Sequence, residues 1–171
     1  MMIYSIVKYG QPVLEQKSES VSEFDTPELQ KLVDDMFESM YAARGVGLAA
    51  PQIGIGKQVA VIDVTSGEDP AQKIVLINPE IVEQEGSQTS EEGCLSLPTF
   101  REPVRRPRKV TVRASNAKGA KFEITGEDLL ARALLHETDH LNGTLYINYI
   151  SPLKRDLIRR KIRKLQKAGE W

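Results

Sequence analysis

The sequence predicts an α+β fold in which antiparallel strands pack around a central helix, with one helix near the N-terminus and another at the C-terminus. Three observations support this class. Residues 26–44 and 128–142 show the apolar spacing of amphipathic helices. Short β-branched runs bounded by turn residues lie between them. A basic segment with helical spacing follows at the end. With 171 residues, the chain is predicted to form a single domain over residues 1–171.

The N-terminal helix is predicted to begin at Thr26 and Pro27, which suit the N-cap and first helical positions. Apolar residues then recur at helical spacing until Gly45, and we interpret them as core rather than as a methionine-rich binding surface. These residues are Leu29, Leu32, Val33, Met36 and Met40.

Strands are predicted at residues 58–64, 74–77, 109–114 and 121–124, the last two joined by a turn at residues 116–119. Residues 145–150 form a further β-like run. Residues 65–72 and 102–108 are expected to be exposed loops.

The central helix is predicted from residues 128–135, a strongly helix-forming and apolar stretch. Thr125 is the expected N-cap, with Asp128 three residues later in a near match to a capping box, and Gly143 is the expected stop. The helix is therefore expected to be buried.

The motif H-E-T-D-H at residues 136–140 contains both histidines of the chain. On a helix, His136 and His140 share one face and can ligate one metal ion, while Glu137 is rotated by about 100° and can hold a proton beside it. A solvated helix face or a purely structural metal site is the alternative. Buried imidazoles need partners, which a metal supplies. Asp139 either orients a ligand or is an exposed helix carboxylate.

Cys94 is the predicted third ligand. It is the only cysteine, so it has no disulfide partner, and Gly93 before it permits a close backbone approach. A lone cysteine is more often a small buried hydrophobic residue. Two imidazoles and one thiolate would leave a fourth position open, as in catalytic sites.

Residues 45–54 contain alternating glycines but no Gly-Lys-Ser/Thr sequence, which argues against a nucleotide site. Gly45 and Gly47 suit a backbone exposed to a ligand or another chain. Gln52 is the one polar side chain in an apolar run, and by itself it is best interpreted as a turn residue satisfied by backbone.

These three segments, residues 45–54, 92–96 and 136–143, resemble the three signature motifs of the peptide deformylases, in the same order. The likeness covers most of the chain. It implies an enzyme that removes the N-formyl group from the formyl-methionine of new polypeptides and releases formate.

The resemblance also assigns roles to individual residues. Cys94, His136 and His140 would hold the metal, and Glu137 would act as general acid and base. Gln52 and the backbone N–H of Leu95 would stabilise the oxyanion. Contacts with the substrate are expected at Val46, Gly47, Glu92, Gly93, Arg101 and Leu129.

Two different metal ions are predicted, depending on the argument used. Cys-His-His ligation alone favours zinc. The resemblance to bacterial deformylases favours Fe(II) in the cell, with nickel or cobalt as active substitutes.

Two other functions would fit part of this pattern. A zinc endopeptidase shares the helix motif but would need a third ligand downstream, where only Asp156 and Glu170 are acidic. A non-catalytic metal-binding or ribosome-associated module would keep the ligands but lose the base, and Glu137 is present.

The C-terminal segment is strongly basic although the net charge is −1. Eight Lys and Arg residues lie between Lys154 and Lys167, with Asp156 as the only acid. By resemblance, Arg159, Arg160, Arg163 and Lys164 are expected to contribute to ribosome docking near the nascent chain. The alternative is a solvated helix with Leu157, Ile158, Ile162 and Leu165 packed inward.

A cytoplasmic location without a membrane partner is expected. No apolar run approaches the roughly 20 residues that span a bilayer. The first residues lack the basic and apolar regions of a signal peptide, and the single cysteine fits a reducing compartment.

Overall fold

The computed structural model describes residues 2–171, which contain seven strands and three α-helices. The strands are β1 (Gly47–Ala49), β2 (Val59–Ile62), β3 (Ile74–Glu85), β4 (Gln88–Cys94), β5 (Leu97–Arg106), β6 (Lys109–Ser115) and β7 (Lys121–Glu127), and the helices are α1 (Pro27–Ala42), α2 (Asp128–Leu141) and α3 (Pro152–Lys167). One antiparallel sheet has the order β1-β2-β3-β6-β7, and β4 pairs with β5 in a separate antiparallel ribbon. The predicted α+β class is confirmed.

The five-stranded sheet separates α1 from α2. Successive side chains of a strand point to opposite faces. In β2, Ala60 and Ile62 belong to the core cluster that contains α2, whereas Val59 and Val61 belong to the cluster that contains α1. Helix α2 contacts all five strands of this sheet, which makes it the central helix that the sequence predicted.

Helix α1 follows its prediction closely. The side chain of Thr26 accepts a hydrogen bond from the Leu29 N–H (3.1 Å), and Pro27 is the first helical residue. Val33, Met36 and Met40 are buried, so the apolar stripe is core.

Helix α2 begins at Asp128, the first residue of the predicted helical stretch, but the predicted N-cap at Thr125 is wrong. Thr125 lies in β7, where its hydroxyl is 2.7 Å from that of Thr111 on β6, and β7 continues into the helix without a loop. Glu127 is the N-cap, and its side chain makes no capping hydrogen bond. The helix ends at Leu141, and Gly143 has a positive φ of 77°, which agrees with the predicted stop.

Two other local predictions are also wrong. Residues 102–108 were expected to be a loop, but most of them belong to β5, because prolines are tolerated in a ribbon whose edges are unpaired. Residues 145–150 were expected to be β-like, but Tyr146–Tyr149 form a 3₁₀ helix. Strand β1, strand β4 and the first half of β5 were not predicted.

Helix α3 begins after Ser151, whose side chain accepts from the Lys154 N–H (3.2 Å). Ile158 and Ile162 are buried as expected, but Leu157 is 46% exposed, so its predicted inward packing is wrong. None of the helices within residues 2–171 is long and apolar enough to cross a membrane.

Candidate active site

The predicted metal ligands and the predicted general base come from two elements. Helix α2 provides His136, Glu137 and His140 from its second half. Cys94 ends β4, and a two-residue turn leads from it into β5. The ribbon thus brings the only cysteine of the chain to the face of α2 that bears both histidines.

The three predicted ligands converge. The Sγ of Cys94 is 3.3 Å from Nε2 of His140, which is 3.1 Å from Nε2 of His136. All three donor atoms lie within 4.8 Å of one another. His136 and His140 are buried, as the sequence predicted.

The donor set fits a metal ion. His136 gives its Nδ1–H to a carboxylate, so its Nε2 offers a lone pair toward the other two donors. A thiolate and two imidazoles are the ligands that zinc and ferrous iron accept, and three protein ligands leave a position open for chemistry. This arrangement makes Cys94, His136 and His140 the candidate metal ligands.

The carboxylate that orients His136 is Glu92. Its Oε2 lies 2.6 Å from Nδ1 of His136, and its side chain is only 4% exposed. Burial alone would raise the pKa of Glu92, but hydrogen bonds from His136 and Arg106 hold it well below its usual value. Because the carboxylate of Glu92 is occupied, its backbone is the part that can meet a ligand in the pocket, and the predicted contact of Glu92 with substrate stays a prediction.

Asp139 does not orient a ligand directly. Its Oδ2 accepts from Arg106 (2.7 Å) and from the Tyr149 hydroxyl (2.9 Å). Arg106, on β5, thereby links Asp139 to Glu92 and stacks on the Tyr149 ring at 4.6 Å. The sequence prediction missed Arg106 because the segment around it was interpreted as an exposed loop.

Glu137 has the environment of a general acid and base. Burial raises its pKa to about 7. Its Oε1 has no hydrogen-bond partner among residues 2–171. A buried carboxylate without partners is costly and is typical of functional sites.

Gln52 lies beside the ligands, in a 3₁₀ turn after β1. Its Nε2 is 3.5 Å from Sγ of Cys94 and 3.3 Å from Oγ of Ser96, and its Oε1 accepts from the Ala49 N–H. One end of the Gln52 side chain thus satisfies the turn, as predicted, and the other end faces the site, while its role at the oxyanion stays a prediction. Leu95 follows Cys94 in the ribbon turn.

A pocket of about 530 Å³ opens next to these residues. Every residue predicted to contact substrate lines it: Val46, Gly47, Glu92, Gly93, Arg101 and Leu129. Leu129 is 53% exposed, and the side chain of Arg101 is 60% exposed. The pocket also includes Cys94, His136 and Glu137, so a ligand in it would reach the candidate metal site.

An α+β domain with a Cys-His-His cluster, a buried carboxylate and an adjoining pocket defines a metallohydrolase. The family follows from comparison with known proteins. The family model described as "Polypeptide deformylase" matches residues 3–156, and the chain belongs to the peptide deformylase family.

Relatives and solved structures agree with this assignment. A peptide deformylase of Acidobacterium capsulatum is 63% identical over 171 residues, covering all of both chains. One from Thermodesulfovibrio yellowstonii is 50% identical over 95% of this chain and 98% of its own. The crystal structure of a peptide deformylase from Legionella pneumophila has a TM-score of 0.90 at 46% identity and covers 98% of each chain.

Proposed function

We propose that this site removes the N-formyl group from newly synthesised polypeptides, with Cys94, His136 and His140 holding one divalent metal ion. The reaction follows from the family, whose members are metallohydrolases that deformylate nascent chains and release formate. The observation that supports the site most directly is the convergence of one sulfur and two Nε2 atoms within 4.8 Å.

The ion that we propose in the cell is Fe(II), with zinc, nickel or cobalt able to occupy the same ligands in a purified sample. Thiolate and imidazole donors suit all of these ions. When bound, the ion supplies Lewis-acid activation of a water molecule and of the formyl oxygen.

Glu137 moves the proton. It accepts a proton from the attacking water and returns it to the nitrogen of the leaving amine. Its burial and its unpartnered Oε1, within the described chain, support this role because no other group competes for that oxygen.

Gln52 and Leu95 stabilise negative charge on the formyl oxygen. The side-chain amide of Gln52 lies next to Cys94 in a buried position, and the Leu95 N–H follows Cys94 directly. Donors held in place before the reaction stabilise developing charge without further reorganisation.

The peptide binds between two backbone segments, residues 45–48 and 92–95, as an added strand. Val46, Gly47, Gly93 and the backbone of Glu92 line this groove, and Arg101 and Leu129 lie at its exposed side. A tight wall near the open metal position would admit the formyl hydrogen and exclude larger acyl groups.

The zinc endopeptidase alternative is not favoured. That class takes its third ligand from downstream of the helix motif, whereas here Cys94 comes from upstream and lies 3.3 Å from His140.

Ribosome docking through α3 belongs to the same proposal. Arg160, Arg163 and Lys164 are exposed, whereas Arg159 is partly buried and donates from Nε to the Tyr9 hydroxyl (3.0 Å). A basic helix is suited to RNA phosphate, the dominant charge of a ribosome surface. Action on nascent chains also supports the cytoplasmic location.

The single-domain organisation over residues 1–171 stays a prediction.

One experiment tests the proposed reaction. Protein purified without oxygen is analysed for metal and assayed for formate release from formyl-Met peptides, beside cleavage of internal bonds in unformylated peptides. We expect about one metal ion per chain, formate release that a chelator abolishes, and no internal cleavage. Internal cleavage without formate release would contradict the proposal.

A further inference from the structure

Arg132 is a buried cation that the mechanism above does not use. It lies on α2 one turn before His136, within an otherwise apolar stretch, and it is only 5% exposed. Its Nη1 donates to Oε1 of Glu92 (2.7 Å), and its Nη2 donates to the backbone oxygen of Val104 on β5 (3.0 Å).

With Arg132 included, every acceptor position of Glu92 is filled. A carboxylate offers about four lone-pair positions. Oε2 accepts from His136 and from Nη2 of Arg106, and Oε1 accepts from Nε of Arg106 and from Arg132. The carboxylate that orients the candidate ligand His136 is therefore itself held on every side.

The contacts of Arg132 also connect two separate elements. Glu92 and Val104 both belong to the β4–β5 ribbon, and Val104 pairs with Ser90 across it. Arg132 and His136 both belong to α2. Apart from His136 itself, Arg132 is the side chain of α2 that binds the Glu92 carboxylate directly. The forked guanidinium spans both Glu92 and Val104, which a single ammonium group does not do.

A purely structural explanation fits Arg132 poorly. Its Nε is buried and has no hydrogen-bond partner within residues 2–171. Replacing buried ion pairs with apolar residues of similar size is often neutral or stabilising. An apolar pair in place of Arg132 and Glu92 would continue the surrounding core of Ala131, Ala133 and Leu134 without leaving a buried donor unpaired.

We propose that Arg132 is a positioning residue that acts through Glu92: it fixes the His136 ring and holds the Cys94-bearing ribbon at the distance from α2 that the metal site requires. This inference rests on the proposed function, namely that Cys94, His136 and His140 bind the metal. Arg132 lines the pocket but is not among the proposed metal ligands, and its effect appears as metal retention.

The test measures the rate at which zinc leaves the loaded protein to a chromogenic chelator. Arg132→Met should release zinc about tenfold faster, the lower end of the effect typical for groups that orient metal ligands. Arg132→Lys should also release it faster, because it loses the fork. The matched control is Arg113→Met, which removes an exposed arginine paired with Glu123 on β7 and should release zinc at the wild-type rate.

A double-mutant cycle separates positioning from general stability. If Arg132 acts through Glu92, Arg132→Met should add little to the release rate of Glu92→Gln. Fully additive effects would overturn the inference, and so would a wild-type release rate in either folded Arg132 variant. Thermal unfolding of the metal-free proteins shows whether a variant is folded, and a change in that stability alone, at an unchanged release rate, also overturns it.

Cys94→Ser in the same assay distinguishes failure of the proposed ligand set from failure of the proposed role of Arg132. If Cys94→Ser retains zinc as the wild type does, the proposed ligand set is wrong. If Cys94→Ser loses zinc and the Arg132 variants do not, the ligand set stands and the positioning role fails.

Discussion

The backbone of Gly47 lies directly against the carboxylate of Glu137. A Cβ added to Gly47 would overlap Oε2, Cδ and Cγ of that side chain. Strand β1 thus packs directly against the Glu137 side chain, and a residue larger than glycine at position 47 would collide with it.

Gly47→Ala should therefore displace Glu137 while the protein still folds, because the overlapping atoms belong to the end of a side chain. A displacement of about 1 Å in a catalytic group can cost about 10²-fold in rate, and we expect a loss of that order in kcat/KM for formyl-Met peptides. Gly56→Ala is the matched control, since a Cβ there meets nothing within 4 Å. Equal activity of both variants would contradict the contact.

Glu137→Gln should keep the metal and lose turnover. The amide preserves the shape of the side chain but cannot accept the proton, so formate release should fall by about 10²–10⁴-fold. Metal content measured on the same sample separates loss of the proton carrier from loss of the ion. Near-normal release by a fully loaded variant would remove Glu137 from this role.

Cys94→Ser should weaken metal binding, because a neutral hydroxyl replaces an anionic sulfur ligand. Loss of a direct ligand should exceed the about 10–100-fold cost of losing an outer partner. Competition with a chelator of known affinity measures the change. Unaltered zinc affinity would show that Cys94 is not a ligand.

Asp63→Asn should destabilise the fold in a pH-dependent way. Burial alone would raise the pKa of Asp63, but hydrogen bonds from Thr65, Tyr41 and Gly67 lower it below its unfolded value. Such a group stabilises the protein above its unfolded pKa near 4, and the contribution is lost as the pH falls through the folded pKa. We expect a loss of about 1–3 kcal/mol at pH 7 that shrinks below pH 4.

Urea unfolding of the Asp63 variant from pH 7 to pH 3 checks this dependence. Asp34→Asn, at an exposed position of α1, is the control and should change the free energy of unfolding little at any pH. A difference from wild type that stays constant over this range would refute the ionised-state contribution of Asp63.

Neutralising Arg160, Arg163 and Lys164 together should weaken ribosome association and leave hydrolysis of short formyl peptides intact. These side chains are exposed on α3, away from the pocket. Co-sedimentation with ribosomes over a salt series should show wild-type binding that falls steeply with salt. Identical co-sedimentation of variant and wild type would contradict docking through α3 and favour the interpretation of α3 as a solubilising helix.

The site was predictable where its residues are close in sequence. Helical spacing made His136, Glu137 and His140 candidates, whereas Cys94, far away in sequence, became one because it is the only cysteine and lies in a segment that resembles a family motif. The structure brings these residues together as predicted. Metal binding itself stays a proposal, as do the roles of Gln52 and Leu95.

The supporting residues were not predictable, because they depend on the register of a ribbon. Pairing between β4 and β5 places Glu92 opposite Glu102 and turns Arg106 inward. The many charged residues and prolines of these strands hide this pairing from a prediction based on sequence. Strand β3 was similarly predicted too short. A register shift between Ile77 and Glu80 lets it pass Asn78, which has a positive φ, and Pro79.

The ribbon that bears Cys94 has no hydrogen-bonded strand neighbour in the main sheet of the described chain, and the side chains of Arg132 and His136 join it to α2 through Glu92. An ion ligated from both elements would act as a cross-link between them. Binding of the ion and packing of the ribbon on the helix would then stabilise each other. Whatever stabilises that packing, including a peptide bound along the ribbon, would slow the escape of the ion.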